Sequence, residues 1–288
     1  MKEWLWNMKI IHTMPLLIRG DSSYNEDLRM AKNCFESLQS SDDNLVVIYN
    51  QGCLSNDELN HLLSTFEIPS VILGNGTNVG IAKARQTCFE YIWSHFKEVD
   101  YLSEIHVDMV FPRNWYEPLL DLLENSDEPM ISPGILTQYG ELQPIGSSAL
   151  VPETTEELIK VLEDSVRNEV HEGFVHPVVH KANALREIGG YDTRFMKGKQ
   201  GYEDDSLLVG YLYYMGTRTN WRPKCYLKSF VYHATMAQRM SLPDKHLDFD
   251  LNGVGLFFQY GAHGLKQLSR IHKNATTFDL LLEKFSQI

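Results

Sequence analysis

Between residues 9 and 107 the chain alternates short apolar runs with helical stretches, and this rhythm restricts the fold more than any other feature. Residues 9–14, 45–49, 70–73 and 101–107 are apolar runs of strand length. Between them, Leu28, Ala31, Phe35 and Leu38 recur at helical spacing, Ser55-Asn56-Asp57-Glu58 has the spacing of a capping box that opens a helix to about residue 64, and Phe89, Ile92, Trp93 and Phe96 mark the buried stripe of a third helix. Parallel strands need a crossover, so strand and helix in repeated succession predict a parallel, doubly wound α/β sheet. Ligands of such sheets bind outside the carboxyl ends of the strands. Pro15 ends the first run, Asn50-Gln51-Gly52 turns after the second, and His106-Val107-Asp108 emerges from the fourth. A carboxylate where a buried strand surfaces is costly unless a partner meets it, which singles out Asp108.

Length and charge narrow the function classes. A chain of 288 residues buries one substantial core, which suits one large α/β domain, alone or with a small appendage. With 26 basic and 38 acidic residues the formal charge is −12, which argues against a broad electrostatic grip on nucleic acid. The four cysteines, Cys34, Cys53, Cys88 and Cys225, form no CxxC pair, so neither a zinc cluster nor a disulfide framework is expected. No apolar run reaches the roughly 20 residues of a membrane span, and the first residues lack a signal-peptide pattern, so a cytoplasmic address is expected.

Residues 78–85 form a glycine-containing loop feeding a helix, where free backbone N–H groups and the cationic Lys83 and Arg85 could meet a phosphate. Farther on, a helix over 115–123, a strand over 130–132, a polar turn over 138–144 and a helix opened by Thr154 are expected. His171, His176 and His180 follow; their spacing is not that of HExxH, and they read as structural or acceptor-contacting. A helix over 183–188 stops at Gly189 and Gly190, and a polar loop then delivers Glu203, Asp204 and Asp205 to a helix start. Three adjacent carboxylates repel one another, and a helix N-terminus eases that while leaving one of them able to serve as a base. Strands are expected over 218–221 and 228–232, with His233 just after the second, and the remainder from 243 is helical with two apolar faces separated by Gly261 to Gly264.

In this order, the NxGxxxAR element at 78–85, Asp108 at a strand end, Gly189, Gly190, Tyr191, Asp192, Phe195, Gly201, Glu203 and Asp204, and the late His233 resemble the GT-A glycosyltransferases of the family 2 type. The GGYD…ED segment is shared with the carboxyl-terminal part of galactosyltransferases, and the likeness covers roughly residues 9–235. It implies a GT-A fold with a helical carboxyl-terminal extension, a nucleotide-sugar donor with UDP foremost, Mn²⁺ or Mg²⁺, and inverting transfer of a hexose. By position it implies donor contacts at Pro15, Asn50, Asn78, Gly80, Lys83, Arg85, His106 and Asp108. His106 stands where the family's first DxD aspartate would be, and Gln86 where it often has Asn. Asp108 and His233 would hold the metal. Asp204 would be the base, with Glu203 beside it, and Trp115, Tyr191, Tyr202 and Asp205 would meet sugars.

Residues 1–240 would form the catalytic domain, with the donor half over about 9–112 and the acceptor half over about 113–240. Residues 241–288 would cover the acceptor site or form a homodimer contact. Two alternatives stay open: a nucleotidyltransferase of related fold, although MPLLIRGDSS lacks the GxGxR loop, and a sugar- or partner-binding protein that retains the fold without the chemistry. The acceptor is open too: a saccharide, a protein, a small molecule or a modified base.

Overall fold

A computed structural model describes residues 8–235, 244–273 and 275–285. The first half follows the predicted alternation: β1 (Ile10–Leu16), α1 (Tyr24–Gln39), β2 (Val46–Asn50), α2 (Asn56–Thr65), β3 (Ser70–Gly74), α3 (Ile81–His95) and β4 (Tyr101–Glu104). The second half holds β5 (Met109–Val110), α4 (Glu117–Glu124), β6 (Met130–Thr137), β7 (Glu141–Gln143), β8 (Ser147–Ser148), α5 (Thr155–Asp164), β9 (Val170–Glu172), β10 (Val178–Lys181), α6 (Ala182–Ile188), α7 (Glu203–Met215), β11 (Lys224–His233), α8 (Lys245–Ile271) and α9 (Ala275–Phe285).

The strands order as β3-β2-β1-β4-β10-β6-β11-β5. β1, β2, β3 and β4 pair in parallel, as does β11 with β6, while β10 runs antiparallel to both β4 and β6. Along β1 the period-2 rule sorts the side chains. Ile10, Met14 and Leu16 join the core beneath α1, α2 and α4, and Ile11 joins the core beneath α3, α6, α7 and α8. The two covered faces explain why these strands read as continuous apolar runs.

Several expected boundaries shift: the strand expected over 101–107 ends at Glu104, which puts His106 and Asp108 in the turn after it. The strand expected over 130–132 extends through Pro133-Gly134 to Thr137, because Gly134 lies under the Phe230 ring, where a Cβ would sit 2.3 Å away. The two strands expected over 218–221 and 228–232 are instead one, β11, whose register to β6 shifts between Tyr226 and Phe230. The helix expected from residue 115 starts at Glu117, leaving Trp115 in the turn before it. The capping box at Ser55 and the Thr154 cap form as predicted, and α8 kinks at Gly261. The start of the helical remainder, from Pro243, lies outside the described residues.

β1 and β4 stop pairing after Thr13 and Glu104, and Arg85 from α3 fills the resulting gap. Its guanidinium lies 2.8 Å from the Glu104 carboxylate and donates to the Thr13 carbonyl and hydroxyl and the Ile105 carbonyl. Glu104 also accepts hydrogen bonds from His180 Nε2 at 2.8 Å and the Tyr191 hydroxyl at 2.7 Å, and Tyr211 bonds the far side of His180. All four partners of this carboxylate network are buried. Burial opposes ionisation of Glu104, but the Arg85 charge and the His180 bond outweigh it and hold the carboxyl below its ordinary range. The stability this supplies is present above the ordinary carboxylate pKa and is lost as pH falls through the depressed folded value. Removing one member of a buried pair strands the other charge, so Arg85→Met should lower unfolding free energy by about 3–5 kcal/mol, measured as a drop in urea midpoint. Replacing Arg85 and Glu104 together with apolar residues should recover part of that loss.

Candidate active site

The site lies at the carboxyl end of β4, where two loops and two strand ends meet. β5 pairs with the end of β11, setting His233 opposite Met109, and the Ala234 N–H donates to the Asp108 carbonyl. That short ladder brings His233 Nε2 to 3.5 Å from Asp108 Oδ1. His106, two residues before Asp108, completes a cluster: one ligand atom from each of His106, Asp108 and His233 lies within 4.8 Å of the others. Two imidazoles and a carboxylate are a donor set that suits a divalent transition-metal ion. Asp108 and His233 thus stand together as expected, and His106, read from the sequence as a donor contact, joins them. The H-x-D spacing was its only sequence signal.

On the other side, the αL backbone of Gly201 and Tyr202 turns the chain into α7. A Cβ on Gly201 would come within 2.9 Å of the Phe249 ring, so this turn requires glycine. Glu203, Asp204 and Asp205 fill the first turn of α7, where the helix dipole favours negative charge. Their surroundings differ. Glu203 is 1% exposed, whereas the Asp204 side chain keeps 25% of its surface open, so Asp204 is the member of the pair within reach of a substrate. Its Oδ1 is held at 2.9 Å by Nε2 of His176, whose ring lies 4.8 Å, centroid to centroid, from that of His106. Asp205 instead meets His272, at the end of α8, at 2.6 Å.

Several residues expected at this site do other work. Arg85 is fully buried against Glu104 and offers no charge to a phosphate; the spacing that buries Ala82, Phe89 and Ile92 on α3 buries residue 85 as well. Tyr191 is 2% exposed, stacked on Phe89 and bonded to Glu104, and Trp115 is 3% exposed against Phe111 and His12, so neither presents a face to a sugar. Asn50 is also buried. Its amide donates to Leu54 and Asn56 while its oxygen accepts from Gly52, so it builds the turn after β2 and does not reach a donor. Pro15 lies inside β1, opposite Tyr49 of β2, and does not end the strand. Tyr202 packs edge-on against Phe249 and Phe278 of the carboxyl-terminal helices.

Asn78 accepts the Gly80 N–H, and Lys83 is exposed on α3. Gly80 presses on the loop that leads to α7: a Cβ there would lie 2.7 Å from the Lys199 Cα, and the Ile81 N–H donates to the Lys199 carbonyl. Gln86 accepts the Tyr191 N–H at 2.8 Å. The loop before α3 and the loop before α7 are therefore joined, a contact with no local sequence signal.

No family model matches the sequence, and no curated protein matches it. Solved structures do. The S. aureus TarS 1-349 structure in complex with UDP-GlcNAc superposes with a TM-score of 0.56 over 94% of this chain and 73% of that one, at 12% identity. The structure of GalNAc-T7 with UDP, GalNAc and Mn²⁺ gives a TM-score of 0.50 over 78% of this chain and 43% of that one, also at 12% identity.

The fold is GT-A.

The match to full S. aureus TarS covers 43% of that protein, so this chain corresponds to less than half of it. In the GT-A frame the helices after β11 lie against the α7 loop: Asn252 of α8 bonds the backbone of Gly198, Gln200 and Gly201, and Gly255 abuts Phe195. No helix among the described residues is long and apolar enough to cross a membrane.

His272 reports on this docking. Burial depresses its basicity, but the hydrogen bond to Asp205 and the fields of Asp205 and Asp204 outweigh burial and raise its pKa. Its contribution is therefore complete below the ordinary imidazole value and lost as pH rises through the raised one. Hydrogen exchange in α9 should accelerate across that window, and His272→Gln should flatten the pH dependence.

Proposed function

We propose that this chain is a metal-dependent, inverting glycosyltransferase that moves a hexose from a UDP-sugar to an acceptor hydroxyl. The observation that carries the reading is the junction at His176: one imidazole bonds the half-buried carboxylate Asp204 and lies against His106 of the metal-type cluster. A base and an electrophilic centre at neighbouring positions are what transfer between an activated sugar and a hydroxyl requires. The TarS and GalNAc-T7 structures, solved with UDP-GlcNAc and with UDP, GalNAc and Mn²⁺, support the choice of donor and ion class.

His106, Asp108 and His233 would hold the ion. When bound, a divalent cation offsets charge on the departing diphosphate. The residues of the chain do the rest. Asp204 accepts the acceptor's proton as that oxygen forms its bond to the anomeric carbon. The bond from that carbon to the diphosphate oxygen breaks on the opposite face, its electron pair leaves with UDP, and configuration inverts. Glu203 is buried at the head of α7, which leaves Asp204 as the carboxylate of the pair that faces a substrate. Acceptors would approach over the cleft lined by Phe174, Arg222, His272 and Lys273, which adjoins the Asp205–His272 contact. In this reading residues up to about 112 form the donor half, those from 113 to 240 the acceptor half, and the following helices a cover.

Asp204→Asn keeps shape but cannot take a proton, so kcat should fall by roughly 10²–10⁴-fold with the donor Kd unchanged. Asp108→Asn should show the converse first: Mn²⁺-dependent UDP binding, read by calorimetry, should vanish while the melting temperature holds. Unchanged UDP affinity in Asp108→Asn removes Asp108 from the metal site. Turnover within a few-fold of wild type in Asp204→Asn overturns the assignment of the base.

A further inference from the structure

We propose that His176 is a positioning residue for the base, acting through Asp204 and not on the sugar itself. The inference rests on the transferase reading above. His176 lies in the stretch between β9 and β10, with a side chain only 10% exposed, and among the described residues its ring makes one hydrogen bond, at 2.9 Å, from Nε2 to Asp204 Oδ1. Its Nδ1 is buried without a hydrogen-bond partner. A carboxylate only accepts, so Nε2 carries the proton of this bond. The imidazole is therefore a fixed donor.

Its place is set on several sides. Phe174 packs edge-on to the ring, His106 lies against it, and Asp204 stands at the head of α7. Asp204 sits between Glu203 and Asp205 in the first turn of α7, where its neighbours' charges repel its carboxylate. A donor on Oδ1 fixes the plane of the carboxylate, so the base is oriented before an acceptor arrives. Asp205 has a separate histidine, His272, so the two neighbouring carboxylates are held by imidazoles from different parts of the chain.

The test uses the full chain, Mn²⁺, and a panel of UDP-GlcNAc, UDP-GalNAc, UDP-glucose and UDP-galactose, reading release of UDP with water as acceptor. His176→Phe should lower kcat roughly 10- to 100-fold, the range for losing one hydrogen bond to a charged group, with the donor KM unchanged. His176→Gln, whose amide can again donate to Oδ1, should recover most of the rate. In an Asp204→Asn background, His176→Phe should cause little further loss, because the two residues act as a unit. If His176→Phe fails to fold, His176→Ala with imidazole added to the buffer replaces it, and recovery of kcat by imidazole is then the expected result. A wild type that releases no UDP from any of these donors removes the transferase reading and this proposal with it. An active wild type with a dead Asp204→Asn, but His176 variants at full rate or with an equal loss in both backgrounds, overturns this proposal alone.

Discussion

The ion pair between Arg85 and Glu104 lies at the point where the sheet divides, and the site depends on it. β1 and β4 must separate for an open crevice to exist at their carboxyl ends, and separating strands leave carbonyls without ladder partners. The Arg85 guanidinium satisfies that of Ile105, adds a second bond to that of Thr13, which still accepts the Ile105 N–H, and neutralises Glu104. Glu104 in turn orients His180 on β10 and Tyr191 in the GGYD turn. A single buried carboxylate thus ties together α3, the strand that delivers His106 and Asp108, and the segment that leads to α7.

Four histidines at or near this centre divide by environment. His180 is sealed in the core between Glu104 and Tyr211. His106 and His233 gather at Asp108, and His176 bonds Asp204. The difference comes from position in the sheet: β10 is covered on both faces, whereas the β4–β5 turn and the end of β11 lie beyond the covered region. A polar ring buried in a covered strand must find its partners in the protein, and one at a strand end is open to a ligand.

The alternation of apolar runs and helical stripes over residues 9–107 was sufficient to foresee the parallel half of the sheet, because strands covered on both faces leave continuous apolar segments. The carboxylate turn and the meeting of Asp108 with His233 were also legible, the first from local helix chemistry and the second through family resemblance. What escaped were partners distant in sequence. Tyr191 lies in a polar, glycine-flanked stretch that reads as surface, yet its hydroxyl finds Glu104, 87 positions away. Arg85 carries the charge of a phosphate ligand, but helical phase puts residue 85 on the inward face of α3. His272 bonds Asp205 across 67 positions, a pairing that no local pattern encodes.

The contact between Gly80 and Lys199 involves backbone on both sides: an N–H, a carbonyl and a missing Cβ. Mutational drift should therefore fall unevenly on the two loops. Position 199 can change its side chain without altering the joint, so it can vary in charge and size as substrates diverge. Position 80 cannot accept even a methyl group unless the loop before α7 moves. Two surface loops that look equally variable thus have unequal freedom, and the constraint on the second is stored in a residue of the first.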